Sequence, residues 1–278
     1  MDLLDLGSVY DHAGIPFGMA VKDGIMIEPP SFGREVLKVH KDGTVSVGKA
    51  DLRYVRVTIG QKEYMYGKNC HFFARPVCSR SPKGGYDLVI LHNKVVAVKE
   101  GGETEVPSSG FLIHLDQRPE LTDRHVSYKY PEDLQFAIQV GNSAVIDGVK
   151  TEKFLSPFYN FLRPRTVPYP PSMYPLNYRK ARAPRIVLGA DEEGKPMLVW
   201  FEGAPKFGYD PEKDSAGVSL LEAADICLKL GMKNGVHLDG GGSAQILLGK
   251  DRILQVSDRN EKDFTEKERA VPLGLSMK

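Results

Sequence analysis

The chain has 278 residues, 41% hydrophobic and 26% charged, the composition of a globular protein long enough to bury a sizeable core. Its net charge of +1 argues against a nucleic-acid partner or an anionic membrane surface, since either calls for a basic excess. No apolar run has the length of a membrane span. The start, MDLLDLGSVYDHAG, is too acidic and too short in its apolar part for a secretory signal, so the compartment stays open between cytoplasmic and processed secreted.

The first half reads as strands and turns. Phe17–Val21, Val36–Val39, Val45–Val47 and Tyr54–Ile59 are short apolar or alternating runs. Lys22-Asp23-Gly24 and Lys41-Asp42-Gly43 between them are hairpin signals. Leu88–Leu91 and Val95–Val98 flank His92-Asn93-Lys94 as a further hairpin, and Phe111–Leu115 continues the pattern. Nothing before residue 130 has helical periodicity. Three cysteines cannot all pair internally; a Cys70–Cys78 bridge across a short loop stays open, and Cys227 falls on the apolar side of a predicted helix. No Cys/His spacing resembles a zinc site.

Residues 155–184 are rich in proline, tyrosine and arginine, which excludes a central strand or a long helix. The reading is an ordered surface loop, either a packing strap or a wall of a binding cleft. Arg185–Leu188 and Met197–Glu202 then read as a strand pair around Asp191-Glu192-Glu193-Gly194. Ser219 and Glu222 form a capping-box pattern that opens the clearest helix, with Leu220, Ala223, Ala224, Cys227 and Leu228 as its apolar stripe and Gly231 at its end. A strand through Val236 and Leu238 follows, with His237 and Asp239 on its other face.

That strand runs into Gly240-Gly241-Gly242-Ser243. Glycine loses more backbone freedom on ordering than any other residue, so three in a row need a reason. One reason is a tight turn. The other is a cradle of backbone N–H groups aimed at anionic oxygens, with a carboxylate and a hydroxyl beside it.

The run LDGGGSA, with SLLEAADICLKLGMKNGVH before it, resembles the signature of the phosphodiester glycosidase family. Further segments match in order: Val140-Gly141-Asn142-Ser143 with Val145-Ile146-Asp147-Gly148, Arg185–Gly189 with Met197–Gly203, and Arg269-Ala270-Val271-Pro272. Near the start, Leu6–Tyr10, Gly14–Gly18 and Asp23-Gly24 resemble the family's Asn-Gly-Gly-Phe-Phe region. Leu6 stands where the family has asparagine, Ala244 replaces a second serine, and the chain looks shortened at its N-terminus.

The resemblance implies hydrolysis of a sugar 1-phosphodiester to free sugar and a phosphomonoester. Phosphate charge would be met by the N–H groups of Gly240, Gly241 and Gly242, by Ser243, by the forks of Arg185 and Arg269, and by the turn Gly141, Asn142 and Ser143. The sugar side needs a carboxylate, for which Asp239 is the candidate, with Glu202 or Asp147 as a second. His237 is a candidate base, its ordinary pKa lying near neutrality. No cofactor is required; a divalent cation beside Asp239 is possible, although no loop offers oxygen ligands at regular spacing. Each residue also has a structural alternative: Asp239 as a cap of the glycine turn, the arginines as ion-pair partners, His237 as a hydrogen-bonded core histidine, Asp147 as a turn residue.

The expected fold is α+β, with mixed or antiparallel sheets and few helices in a single compact domain over 1–278. A strand-rich first half (1–130) precedes a site-bearing second half (131–278). The expected partner is a sugar-phosphate or glycan substrate. The altered positions keep open an alternative, a catalytically weakened carbohydrate- or phosphate-binding module on the same scaffold.

Overall fold

Turn chemistry sets the hairpins of the first half. β1 (Ala20–Lys22) and β2 (Ile25–Glu28) meet at Asp23-Gly24, whose φ values of 52° and 75° form the left-handed pair that a two-residue hairpin needs. β3 (Glu35–His40) and β4 (Val45–Lys49) turn through Asp42, which accepts the Thr44 N–H at 2.9 Å. β5 (Arg56–Ile59), β6 (Lys62–Met65) and β7 (His71–Ala74) follow. β8 (Lys83–Leu91) and β9 (Lys94–Gly102) turn at His92-Asn93, at φ 46° and 59°. β10 (Phe111–Leu115) and β11 (Val126–Lys129) complete this half, and β12 (Leu134–Gln139), past residue 130, returns to pair with β1 and β3.

The second half begins with β13 (Ser143–Ile146) and β14 (Val149–Lys150), followed by β15 (Arg185–Ala190) and β16 (Pro196–Phe201). Then come helix α1 (Leu220–Lys229), β17 (Asn234–His237), a 3-10 turn (Gly241–Ser243), β18 (Leu247–Leu248) and β19 (Asp251–Arg252). This computed structural model describes residues 18–30, 35–50, 52, 55–74, 78–107, 110–130, 133–139, 142–151, 182–203, 208–271 and 275. Leu6, Gly141, Pro272 and the Pro/Tyr/Arg-rich run up to residue 181 lie outside the described residues.

All pairings between the named strands are antiparallel. One five-stranded sheet has the order β2-β1-β12-β3-β4, and a second the order β14-β13-β17-β15-β16. A four-stranded sheet, β7-β10-β8-β9, and a three-stranded sheet, β11-β5-β6, fill out the first half. The fold class is thus α+β with antiparallel sheets and, among the described residues, one α-helix.

Three apolar clusters hold these layers. One belongs to the first half, around Met26, Leu88, Ile90, Phe111 and Ile113. Another joins Leu37, Val45 and Ile138 of the first five-stranded sheet to Ile186, Leu188, Val236 and Leu238 of the second. The last packs Ala144, Val145 and Val187 of the second sheet against Ala223, Ala224 and Cys227 of α1. The second five-stranded sheet therefore lies between the first sheet and the helix. Each fully buried aliphatic side chain in these layers contributes about 1.5–3 kcal/mol.

α1 starts as its capping pattern requires. Ser219 Oγ accepts the Glu222 N–H at 3.2 Å and Glu222 Oε2 accepts the Ser219 N–H at 2.8 Å. Gly231 ends it at φ 91°.

The strands β6, β7, β11 and β12 were not legible locally, because each is short and finds its partner across the fold. The run after the glycines differs from a buried strand as well. β18 is two residues long, and Leu247 and Leu248 are 61% and 71% exposed. The Cys70–Cys78 bridge does not form; both are free thiols.

Candidate functional site

The register of β15 and β17 assembles the centre of the site. Val187 lies opposite His237 and Leu188 opposite Val236, and the Leu238 N–H reaches Ile186 O at 2.9 Å. Beyond that bond the regular ladder ends, with the Gly241 N–H on Pro184 O, and Arg185 and Asp239 lie at this common end of the two strands. Residues directly opposite in an antiparallel pair point to the same face. Arg185, Val187, His237 and Asp239 thus share the face that α1 covers, while Val236 and Leu238 enter the core between the sheets. On the other side of β17, the His237 N–H donates to Asn142 O at 2.8 Å, and Asn142 is buried.

Asp239 leaves the strand at its C-terminal end and is 8% exposed. Its Oδ1 accepts the Gly240 N–H at 2.8 Å. A Cβ on Gly240 would lie 3.4 Å from Arg185 Nη1 and 2.7 Å from Pro184 O, so the turn rests directly on the arginine. Arg185 Nε also donates to Val218 O at 3.4 Å, just ahead of the capped start of α1.

The glycines satisfy the chain's own geometry. Gly241 adopts φ 60°, a region that disfavours side chains, and its N–H donates to Pro184 O at 3.2 Å. Gly242 lies beneath the Asp258 carboxylate, which a Cβ would meet at 2.3 Å. The first two N–H groups of the expected cradle are therefore engaged inside the protein.

Asp258 is the carboxylate that sequence reasoning missed. Arg269 clamps it with two bonds, Nε to Oδ2 at 3.0 Å and Nη2 to Oδ1 at 3.2 Å. Arg269 Nη1 reaches Ser243 Oγ at 3.4 Å, and Gln245 Nε2 bonds both Gly242 O (3.1 Å) and Arg269 O (2.8 Å). Next to Asp258, the buried Arg259 pairs with Asp214 at 2.9 Å and fixes this segment over the turn. Nothing in the local pattern around Asp258 distinguishes it from a surface carboxylate; only the close approach to Gly242 does.

Ser143 and Asp147 separate from this centre, whereas Glu202 stays at the Arg185 end of the sheet. Ser143 pairs with Val236, which turns its side chain toward the first sheet, and its hydroxyl donates to Glu35 Oε2. Burial raises the Glu35 pKa, but the bonds from Ser143 and Lys49 outweigh it and leave the carboxyl below its ordinary value. Asp147 is an exposed turn residue at φ 52°, its N–H bound to Asn234 Oδ1 at 2.9 Å. It sits by the first residue of β17, about 16 Å of strand away from Asp239. Glu202 follows β16 at the Arg185 end of the sheet and accepts the Gln255 N–H at 3.4 Å.

His237 departs most from expectation. Its ring is 2% exposed, and neither Nδ1 nor Nε2 has a hydrogen-bond partner among the described residues. Burial, and then the Arg185 charge, push its pKa down to about 3. The ring is neutral at any ordinary pH and does not keep the near-neutral pKa that suggested a base. Among the described residues no group of three His, Cys, Asp or Glu stands together as a metal site would. No described helix is long and apolar enough to cross a membrane.

Residues 74–277, more than half of the chain, match the phosphodiester glycosidase family. The chain belongs to that family. Similar solved structures include a hypothetical protein from Synechocystis, at 20% identity and TM-score 0.46, with 87% of this chain and 46% of that one covered. A Burkholderia pseudomallei protein matches at 16% identity and TM-score 0.41, over 91% of this chain and 60% of that one. The catalytic domain of zebrafish N-acetylglucosamine-1-phosphodiester α-N-acetylglucosaminidase, auto-inhibited by its pro-peptide, matches at 16% identity and TM-score 0.35, over 96% and 90%. The chain thus spans less than two thirds of the first two structures' own length. No curated protein matches the sequence.

Proposed function

We propose that this family member hydrolyses a sugar 1-phosphodiester, releasing free sugar and a phosphomonoester. The observation that carries the reading is the meeting of Arg185 and Asp239 at one end of β15 and β17, where the Gly240 turn that Asp239 caps rests on the arginine. Asp239 faces the anomeric carbon, where positive charge develops. Arg185 stabilises the negative charge that collects on the departing phosphate. Ser243 and Arg269 line the phosphate side. Gly240 and Gly241 shape the turn, and Asn142 walls the sugar side. Glu202 supports the segment around Gln255. In this reading the first half of the chain is a buttress, and all the chemistry lies after residue 131.

The test is turnover of α-linked methyl phosphodiesters of N-acetylglucosamine-1-phosphate and glucose-1-phosphate, with and without EDTA. Free sugar plus methyl phosphate is the expected product. Asp239→Asn should lower turnover on the order of 100-fold or more while the melting temperature moves by a few degrees. Equal turnover by that variant would remove the assignment.

One observation favours a second reading, a carbohydrate- or phosphate-binding module. The Arg269 fork is already filled by Asp258, and two N–H groups of the turn are already bonded. Binding of the diester without product, surviving loss of Asp239 but not of Arg185, would select it.

A further inference from the structure

A buried polar atom without a partner costs about 1–3 kcal/mol, and nearly all such atoms in folded proteins bind protein or ordered water. His237 carries two, side by side on one ring. The Tyr128 hydroxyl, also unpartnered, sits in the first-half core, where its ring meets Phe72 and Phe111. His237 shares its face with Asp239, two residues on in the chain, and feels the Arg185 charge from the neighbouring strand. Asn142 flanks it from β13, and α1 contributes Cys227, whose thiol burial pushes up to about 12, to the same layer. Charged neighbours, 2% exposure and two ring nitrogens without a partner among the described residues mark a site for something small and polar.

We propose that His237 binds a buried water beside Asp239, and that this water is the hydrolytic nucleophile of the reaction proposed above, on which this second part rests. A neutral imidazole offers one donor and one acceptor, Asp239 only accepts, and Arg185 only donates. A water is the smallest group that can use all three. Its oxygen forms the new bond to the anomeric carbon. The bond from that carbon to the phosphate oxygen breaks, and its electron pair leaves with the phosphate. The water proton passes to the Asp239 carboxylate. His237 takes no proton at any stage, in line with its depressed pKa, and its part is to hold the water in line.

The experiment has two readouts on the full chain. Nitrogen-15-edited rotating-frame spectra of histidine-labelled protein should show a cross-peak between the His237 ring N–H and a long-lived water. A dry imidazole overturns the water site whatever the enzyme does. Kinetics on the same diesters should show kcat falling roughly 100-fold in His237→Phe with KM unchanged, because only the attacking geometry is lost. His237→Gln, which keeps a donor and an acceptor, should recover part of that loss. A purely structural histidine would keep kcat in the Phe variant whatever its stability. A water cross-peak with undiminished kcat in His237→Phe overturns the hydrolytic role and leaves the water site. A parent protein that binds the diesters and never cleaves them overturns both the hydrolytic role and the glycosidase reading, while the spectra still decide the water.

Discussion

Two buried histidines on two sheets show how differently this chain treats the same side chain. His114, on β10 in the first half, bonds Asp87 Oδ1 through Nδ1 at 2.7 Å and meets Phe73 edge-on at 6.0 Å. The other Asp87 oxygen accepts from Ser81 Oγ at 2.5 Å, and Ser81 Oγ accepts the Thr104 N–H at 2.9 Å. That network closes on itself, and Gly85 makes room for it: a Cβ there would meet the His114 ring at 2.7 Å. His237, on β17 in the second half, is buried as deeply, and neither ring nitrogen has a hydrogen-bond partner among the described residues. Complete satisfaction marks a group that serves the fold. A deep polar group without a protein partner, near charged residues, is what the proposed water site rests on.

The largest effect that could break this contrast is expected at Asp87. Asp87→Ala strands His114 and Ser81 in the core and should cost about 3 kcal/mol in urea unfolding, with turnover per folded molecule unchanged. A cost below about 1 kcal/mol would mean that the network is not the lock described here.

A smaller effect tests the turn. Gly242→Ala places a methyl 2.3 Å from the Asp258 carboxylate. The carboxylate must swing away and weaken its hold on Arg269, at a cost of about 1 kcal/mol. Thermal unfolding measures that cost, and a crystal structure of the variant shows whether Arg269 leaves Ser243. An unmoved Arg269 would detach Asp258 from the site.

The finest test uses acid. His237 has a folded pKa near 3, against an ordinary value of 6.5. Between those values the unfolded chain takes up a proton that the folded one refuses, so stability must fall as pH drops through this window. His237→Phe should lose that component of the acid slope and keep the rest. An identical slope in the variant between pH 6.5 and 3 would mean that the ring is charged or solvated in the folded state.

Much of the fold was legible because its causes are local. Asp23-Gly24 and His92-Asn93 make their hairpins through their own φ angles. Ser219 and Glu222 cap α1 within one turn of chain. The alternation of Val236 and Leu238 against His237 and Asp239 is a property of any strand. These elements, together with the LDGGGSA run, determined the fold class and pointed to the family and to the stretch of chain that carries the site.

Tertiary structure decided which candidates meet. Strand register brought Arg185 and Asp239 to one end of the sheet, turned Ser143 away toward Glu35 and left Asp147 at the far end of β17. Register is a relation between segments far apart in the chain, and no local pattern encodes it. The same holds for Asp258, whose place over Gly242 depends on the buried Arg259–Asp214 pair behind it. His237 was visible as a residue but not as a neutral one. Its proton affinity is set by the depth of the core and by the charge of Arg185, and both exist only once the sheets and the helix have packed.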